Sequence, residues 1–218
     1  MIREFAIVWA NSGQLLNGLL NTAGLAVLGM ILSVLLGSLL AVLLMARSRP
    51  VSLSAQAFVD LFRCVPFLLL AYLVYFGLPS LGLNFDNWTS GLVAIVFYNT
   101  AYMAEILRGV WRGLPRDGIE AATAFGFQGW RLFLRIILPQ VFLIAAPMMG
   151  NQMIQIIKDT AFLSIIAVPE LTHVASGIQS QYYVPFAAFL AAVLLYWMIC
   201  SLVEAGVFAV ERLARERR

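Results

Sequence analysis

Five stretches of the chain are apolar for long enough to cross a bilayer as helices, and polar segments separate them. A hydrocarbon core of about 30 Å needs about 20 such residues. The first stretch runs from Leu19 to Met45, the second from Cys64 to Leu81 and the third from Gly91 to Leu107. The fourth runs from Pro139 to Ile157, and the fifth from Pro185 to Val203, continuing towards Val210. The pattern predicts an all-α integral membrane protein, a single domain over 1–218. The first stretch is too long for a signal-peptide core and lacks both a preceding basic region and a small-residue cleavage site, so it reads as a retained helix. Ahead of it, Ile2 to Trp9 is mostly apolar, broken by Arg3 and Glu4. It reads either as a short helix on the membrane surface or as a frayed end.

Arginine placement orients the helices. Odd-numbered spans put the termini on opposite sides. With the C-terminus inside, inner segments hold Arg47, Arg49, Arg63, Arg108, Arg112, Arg116, Arg131, Arg135, Arg212, Arg215, Arg217 and Arg218, and outer segments hold Arg3 and Lys158. Twelve against two predicts an external N-terminus and a cytoplasmic C-terminus. The inner loop at about 109–138 and the outer one from Asp159 to Tyr183 are long enough for function or extra short helices.

Polar residues interrupt the spans, where they are costly and point to function. Tyr98, Asn99 and Thr100 lie near the middle of the third. In the fourth, Asn151, Gln155 and Lys158 share one helix face, and Gln152, Gln155 and Asp159 an adjacent one. Such a stripe can line a cavity for a zwitterion, or can hydrogen-bond between helices and hold the bundle together. Tyr98, Asn99, Thr100, Gln152 and Gln155 are the candidate lining residues. Lys158 and Asp159, adjacent near the outer boundary, suit an ion pair or gate support. Glu105 with Arg108, and Asp60 with Arg63, have ion-pair spacing. Pro66 and Pro147 can kink their helices, and Gly24, Gly29 and Gly37 suit close helix approach.

Composition narrows the class. The chain is 62% hydrophobic and 11% charged, with mean hydropathy +0.90. Soluble domains carry about 25% charged residues, so this one needs lipid around it. The net charge of +3 comes without a basic run in a soluble fold, which argues against nucleic acid. The basic C-terminal tail suits anionic lipid heads. Cys64 and Cys200 form neither a disulfide framework nor a metal site, and lone His173 reads as structural. No phosphate-binding loop, membrane Ser/His pair, paired membrane aspartates or His-Glu-x-x-His occurs. The chain therefore reads as a non-enzyme, with no catalytic residue, metal or cofactor of its own.

The inner loop has its own helical pattern. Pro115 suits a helix start, and Arg116, Asp117 and Glu120 occupy the first turns, where acids favour the positive helix end. Ala121, Ala122 and Ala124 are strong helix formers, and Gly126 can stop the helix. A bend at Gly129 precedes Trp130 to Ile137, and Pro139 can start the fourth span. The loop thus reads as two short helices across the inner face, offering a small Ala-rich surface to a partner or lying as a hairpin on the membrane.

Glu120-Ala121-Ala122, Gly126 and Ile137-Leu138-Pro139 resemble the EAA loop of ATP-binding-cassette importer permeases. Arg63-Cys64-Val65-Pro66, Tyr75-Phe76-Gly77-Leu78-Pro79, Ala101 to Gly109, Leu138-Pro139-Gln140 and Lys158-Asp159-Thr160 are similar to the polar amino-acid permeases of that family. Asp117-Gly118 departs from the family's Gly-Gln, Cys64-Val65 from its small-residue pair, and Phe125 from its Leu. The resemblance implies a type I importer permease of the bacterial inner membrane that moves polar amino acids by alternating access. It implies that Glu120, Ala121, Ala122, Gly126, Asp117 and Arg116 dock on ATPase subunits, which bind ATP and magnesium. It also implies a second permease chain, in a homodimer or heterodimer, and an external substrate-binding protein. The other reading is a stand-alone channel or ion-coupled carrier, against which stands the lack of an inverted repeat.

Overall fold

The computed structural model describes residues 2–216. Its elements are helices. Helix α1 (Ile2–Ala10) leads into the long α2 (Ser12–Leu44), α3 (Arg49–Cys64) and α4 (Phe67–Tyr72), which runs on through a π-turn and a 3-10 turn to Leu81. Then come α5 (Asn87–Arg112), α6 (Arg116–Ala124), α7 (Gly129–Leu132), α8 (Leu138–Thr160), α9 (Leu171–Tyr182) and α10 (Pro185–Glu216). The side chains of the basic tail, expected at lipid heads, lie outside the described residues.

Four helical segments are long and apolar enough to span a membrane: Ser12–Leu44, Asn87–Arg112, Gly129–Ile166 and Pro185–Ala209. The pair Arg49–Cys64 and Phe67–Leu81 makes a fifth, bent by 104°. The described residues thus hold four candidate spans, or five with the bent pair counted as one, and the second and fourth differ from the expectation. Pro66 does more than kink the second. Proline disfavours helical backbone at the residue before it, and Val65 (ψ 133°) and Pro66 (ψ 134°) are both extended. The result is two helices, with the amphipathic α3 ahead of α4. The fourth span begins at Gly129 rather than Pro139, because a π-turn at Phe133–Ile137 joins α7 to α8 without a break. Proline costs nothing at the first turn of a helix, so Pro139 follows a π-turn that carries the chain through. Pro147 lies inside α8, where its missing N–H leaves the Leu143 carbonyl without its helical donor.

The most buried span is α5, packed along α2 on one side and α8 on the other. Leu25, Ile95, Ile156 and Leu163 meet at the centre with no exposed surface. Gly29 and Gly37 of α2 face α5, where an added Cβ would collide with Ile95 and Met103. Gly24 does not share this role: open space surrounds its missing side chain. At one end of the bundle sit α6 and α7. At the other lies α9, with α1 packed on α10 and α2 nearby.

Candidate functional site

Helix α6 has two faces. Ile119 packs on the cluster built from Leu107, Val110, Leu114 and Ile137, and Ala122, three residues on, is buried on the same side of the helix. Arg116, Asp117, Glu120, Ala121, Ala124 and Phe125 are exposed. Gly126 closes the helix at φ 86°, a left-handed conformation natural to glycine. The Phe127 N–H donates to the Ala122 carbonyl and the Gly126 N–H to that of Thr123, both at 3.0 Å, the pairing of a Schellman motif. Of the expected docking residues, Arg116, Asp117, Glu120 and Ala121 are exposed on α6 and Gly126 closes it, whereas Ala122 is turned inward and offers no docking surface. Sequence reading missed two aromatics beside it. Phe125 is 86% exposed and Trp130 65% exposed; Trp130 stacks on Phe133, which in turn meets Trp111. Large apolar side chains just past a helix stop, in an arginine-flanked loop, were the available signal.

The polar residues of the spans divide between two settings. Asn99 is fully buried: its Nδ2 donates to the Ile95 carbonyl (2.9 Å), and its Oδ1 accepts from Gln152 Nε2 (2.7 Å). This pair joins α5 to α8 inside the bundle. Nearby, Gln155 Nε2 donates to Asp159 Oδ1 (2.8 Å), while Oδ2 of that buried carboxylate has no protein partner. The Tyr98 and Tyr102 hydroxyls bond each other at 3.2 Å. Asn151, Gln155 and Lys158 are exposed on the outer face of α8. Asn99 and Gln152 therefore meet between α5 and α8, Tyr98 pairs with Tyr102 along α5, and Gln155 reaches Asp159 along α8 from its exposed side. Thr100 stands apart, turned towards Leu36, Leu40 and Phe58 on α2 and α3.

The expected ion pairs are partly found. Arg108 binds Glu105 and also donates to Gln56 (2.9 Å). Among the described residues, Lys158 makes no ion pair with Asp159, whose carboxylate turns inward to Gln155 while the ammonium is exposed. Asp60 accepts from Gln56, and Arg63 lies over the Tyr102 ring, 5.6 Å from its centre, so these two also take other partners.

Glu170 was not anticipated. Fully buried at the start of α9, it accepts from the Thr172 N–H (2.8 Å), the His173 N–H (2.6 Å) and the Tyr196 hydroxyl of α10 (2.6 Å). Burial pushes its carboxyl above the ordinary value, against three donors that pull it down. Asn21 donates to the Pro169 carbonyl and Thr22 accepts from Leu171, so the same turn is tied to α2. An acid directly ahead of an amphipathic stretch is a helix-start signal, but its burial is visible only in the fold.

The family described as binding-protein-dependent transport system inner membrane component matches residues 12–216. The chain belongs to that family: it is a multi-pass membrane permease subunit of a transport system. It is 30% identical over 207 residues to the "Probable glutamine ABC transporter permease protein GlnM" of Bacillus subtilis, covering 95% of this chain and 96% of the relative. It is 29% identical over 217 residues to the histidine/lysine/arginine/ornithine transport system permease protein HisQ of Salmonella typhimurium, covering 94% and 95%. A solved chain titled "Crystal structure of an amino acid ABC transporter with histidines" superposes with TM-score 0.88 at 28% identity, covering 95% of this chain and 97% of that one.

Proposed function

We propose that this chain is the translocating subunit of an ATP-driven importer of polar amino acids in a bacterial inner membrane, and that α6 is where the ATPase subunits grip it. One observation carries the reading: α6 rests its Ile119–Ala122 face on a cluster shared with the helix that reaches from Gly129 to Ile166. That helix carries Gln152, Gln155 and Asp159 at its far end. A displacement of α6 is passed along it to the polar cluster without an intervening loop. The exposed Glu120, Asp117 and Arg116 supply charge, Ala121 and Ala124 allow close approach, and Phe125 supplies apolar area to bury. ATP and magnesium belong to the partner subunits. The arginine bias places α6 in the cytoplasm and α9 outside, where a binding protein delivers substrate. The exposed polar face of Asn151, Gln155 and Lys158 is costly against lipid. It turns to the pathway shared with a second permease chain. Substrate choice follows from the relatives: polar amino acids of the glutamine or histidine kind.

The test is co-purification of the chain from membranes with its ATPase, with and without Glu120→Lys. Charge reversal at the docking helix is expected to weaken the complex by about 1.4 kcal/mol or more, tenfold in affinity, and to lower transport-linked ATP hydrolysis. A partner bound equally well by the variant would move the docking contact away from α6.

A further inference from the structure

One face of α5 carries Tyr98, Tyr102, Glu105 and Gly109, and the capping Gly113 continues it, at spacings of four, three, four and four residues. This is a single helical stripe running from mid-span to the α6 end. Its upper part is the hydroxyl pair Tyr98–Tyr102, next in sequence to the buried Asn99. Its lower part opens into a cleft of about 480 Å³ whose walls include Arg63, Tyr102, Glu105, Gly109, Ile144 and Met148. That volume lies within the range of small-molecule sites, about 300–1,000 Å³.

Two charges of opposite sign face this cleft. The Arg63 guanidinium lies over the Tyr102 ring, and a stacked guanidinium keeps its in-plane donors for a carboxylate. Glu105 gives Oε1 to Arg108, but its Oε2 is buried and has no protein partner. A desolvated carboxylate oxygen without a donor is costly; turned into the cleft that Glu105 lines, it would take a ligand ammonium. The two glycines leave the floor open: a Cβ added at Gly109 would meet nothing within 4 Å.

We propose that this cleft is a second amino-acid site, separate from the Asn99–Gln152 pair and nearer the α6 end. It holds the α-carboxylate at Arg63, the α-ammonium at Glu105 Oε2 and the side chain against Ile144 and Met148. The proposal rests on the amino-acid reading above. In transport, the tyrosine pair hands the zwitterion from that central pair to this site before release. Amino acid present on the release side binds the same cleft.

The experiment is saturation binding of radiolabelled L-glutamine and L-histidine to the permease purified with its partner subunits, nucleotide-free, in phosphatidylglycerol nanodiscs. The parent is expected to show two components with at least one of these amino acids. Arg63→Gln removes one charge-assisted contact and raises Kd of one component by about tenfold or more. Gly109→Leu, which fills the cleft without a backbone clash, abolishes that same component, and both variants keep the other. Gln152→Ala weakens the component that they spare. Adding phosphatidylethanolamine, whose headgroup is also a zwitterion with a primary ammonium, leaves both components in place. A single component in the parent, or two components unchanged in both cleft variants, overturns the second site and leaves the amino-acid reading standing. Displacement by phosphatidylethanolamine overturns it in favour of a lipid headgroup. Failure of either amino acid to bind a complex that hydrolyses ATP overturns both readings.

Discussion

At Gly37 an added Cβ would stand 2.5 Å from the Met103 Cβ, 3.1 Å from the Ala104 nitrogen and 3.2 Å from the Thr100 carbonyl oxygen. Two of these neighbours are backbone and cannot swing aside. Gly37→Ala gains up to about 1 kcal/mol of helix propensity but forces α2 away from α5, a strain of about 1–3 kcal/mol. At Gly24 nothing lies within 4 Å, so the same substitution keeps the propensity gain. Thermal unfolding followed by circular dichroism should therefore rank Gly24→Ala above the parent and Gly37→Ala below it. The sequence shows Gly24, Gly29 and Gly37 within one apolar helix and no means of separating them. Their difference lies entirely in what stands opposite. The same holds for Asn99 and Thr100, neighbours in sequence: one is hydrogen-bonded to Gln152, and the other lies among the leucines of α2. Glu170 is the reverse case: its two backbone donors are local, but its burial is completed by a hydroxyl supplied by Tyr196, 26 residues later.

Helix α6 was legible almost entire, because its signals are local. Proline ahead of it, acids in its first turns, alanines in its body and glycine after it are each read within a few residues, and the helix observed is Arg116–Ala124. Its closing turn carries a prediction of its own. Gly126→Ala places a Cβ at φ 86°, which costs about 1–2 kcal/mol and frays the last turn, where Ala124 and Phe125 are presented. Transport-linked ATP hydrolysis should fall while the melting temperature of the bundle changes little, since α6 is largely exposed. A large drop in both would mean that the loop supports the fold instead. The neighbouring elements were less legible. A π-turn has no strong sequence signature, so the continuity of α7 with α8 escaped the pattern of Gly129 and Pro139. The sharp corner at Pro66 reads only as a kink until α3 is seen to pack along α5 and α2 on its own account.

Across the whole molecule, apolar surface is everywhere, as lipid demands, so the polar interruptions carry the information. Asn151, Gln155 and Lys158 make such an interruption on α8, whereas Leu35 on α2 stands 62% exposed among other leucines. If the α8 face lines a pathway shared by two permease chains, Gln155→Cys in a chain whose Cys64 and Cys200 have been replaced should cross-link with a long bifunctional maleimide in membranes. Leu35→Cys should not. Cross-linking at Leu35 with none at Gln155 would place the shared pathway on another face.

Hydropathy and local propensity by themselves determined that the protein is a membrane protein, marked its four or five candidate spans and located the helix at Arg116–Ala124. These properties follow from transfer free energies and local propensities summed over short windows, so no distant residue can alter them. Only the tertiary structure decided which polar residues meet: Gln152 with Asn99 across 53 positions, Arg108 with Gln56 across 52, and Arg63 with the Tyr102 ring. A span tolerates polar groups on any face that a neighbouring helix can satisfy. Which face that is depends on how helices far apart in sequence pack, and no single span encodes it.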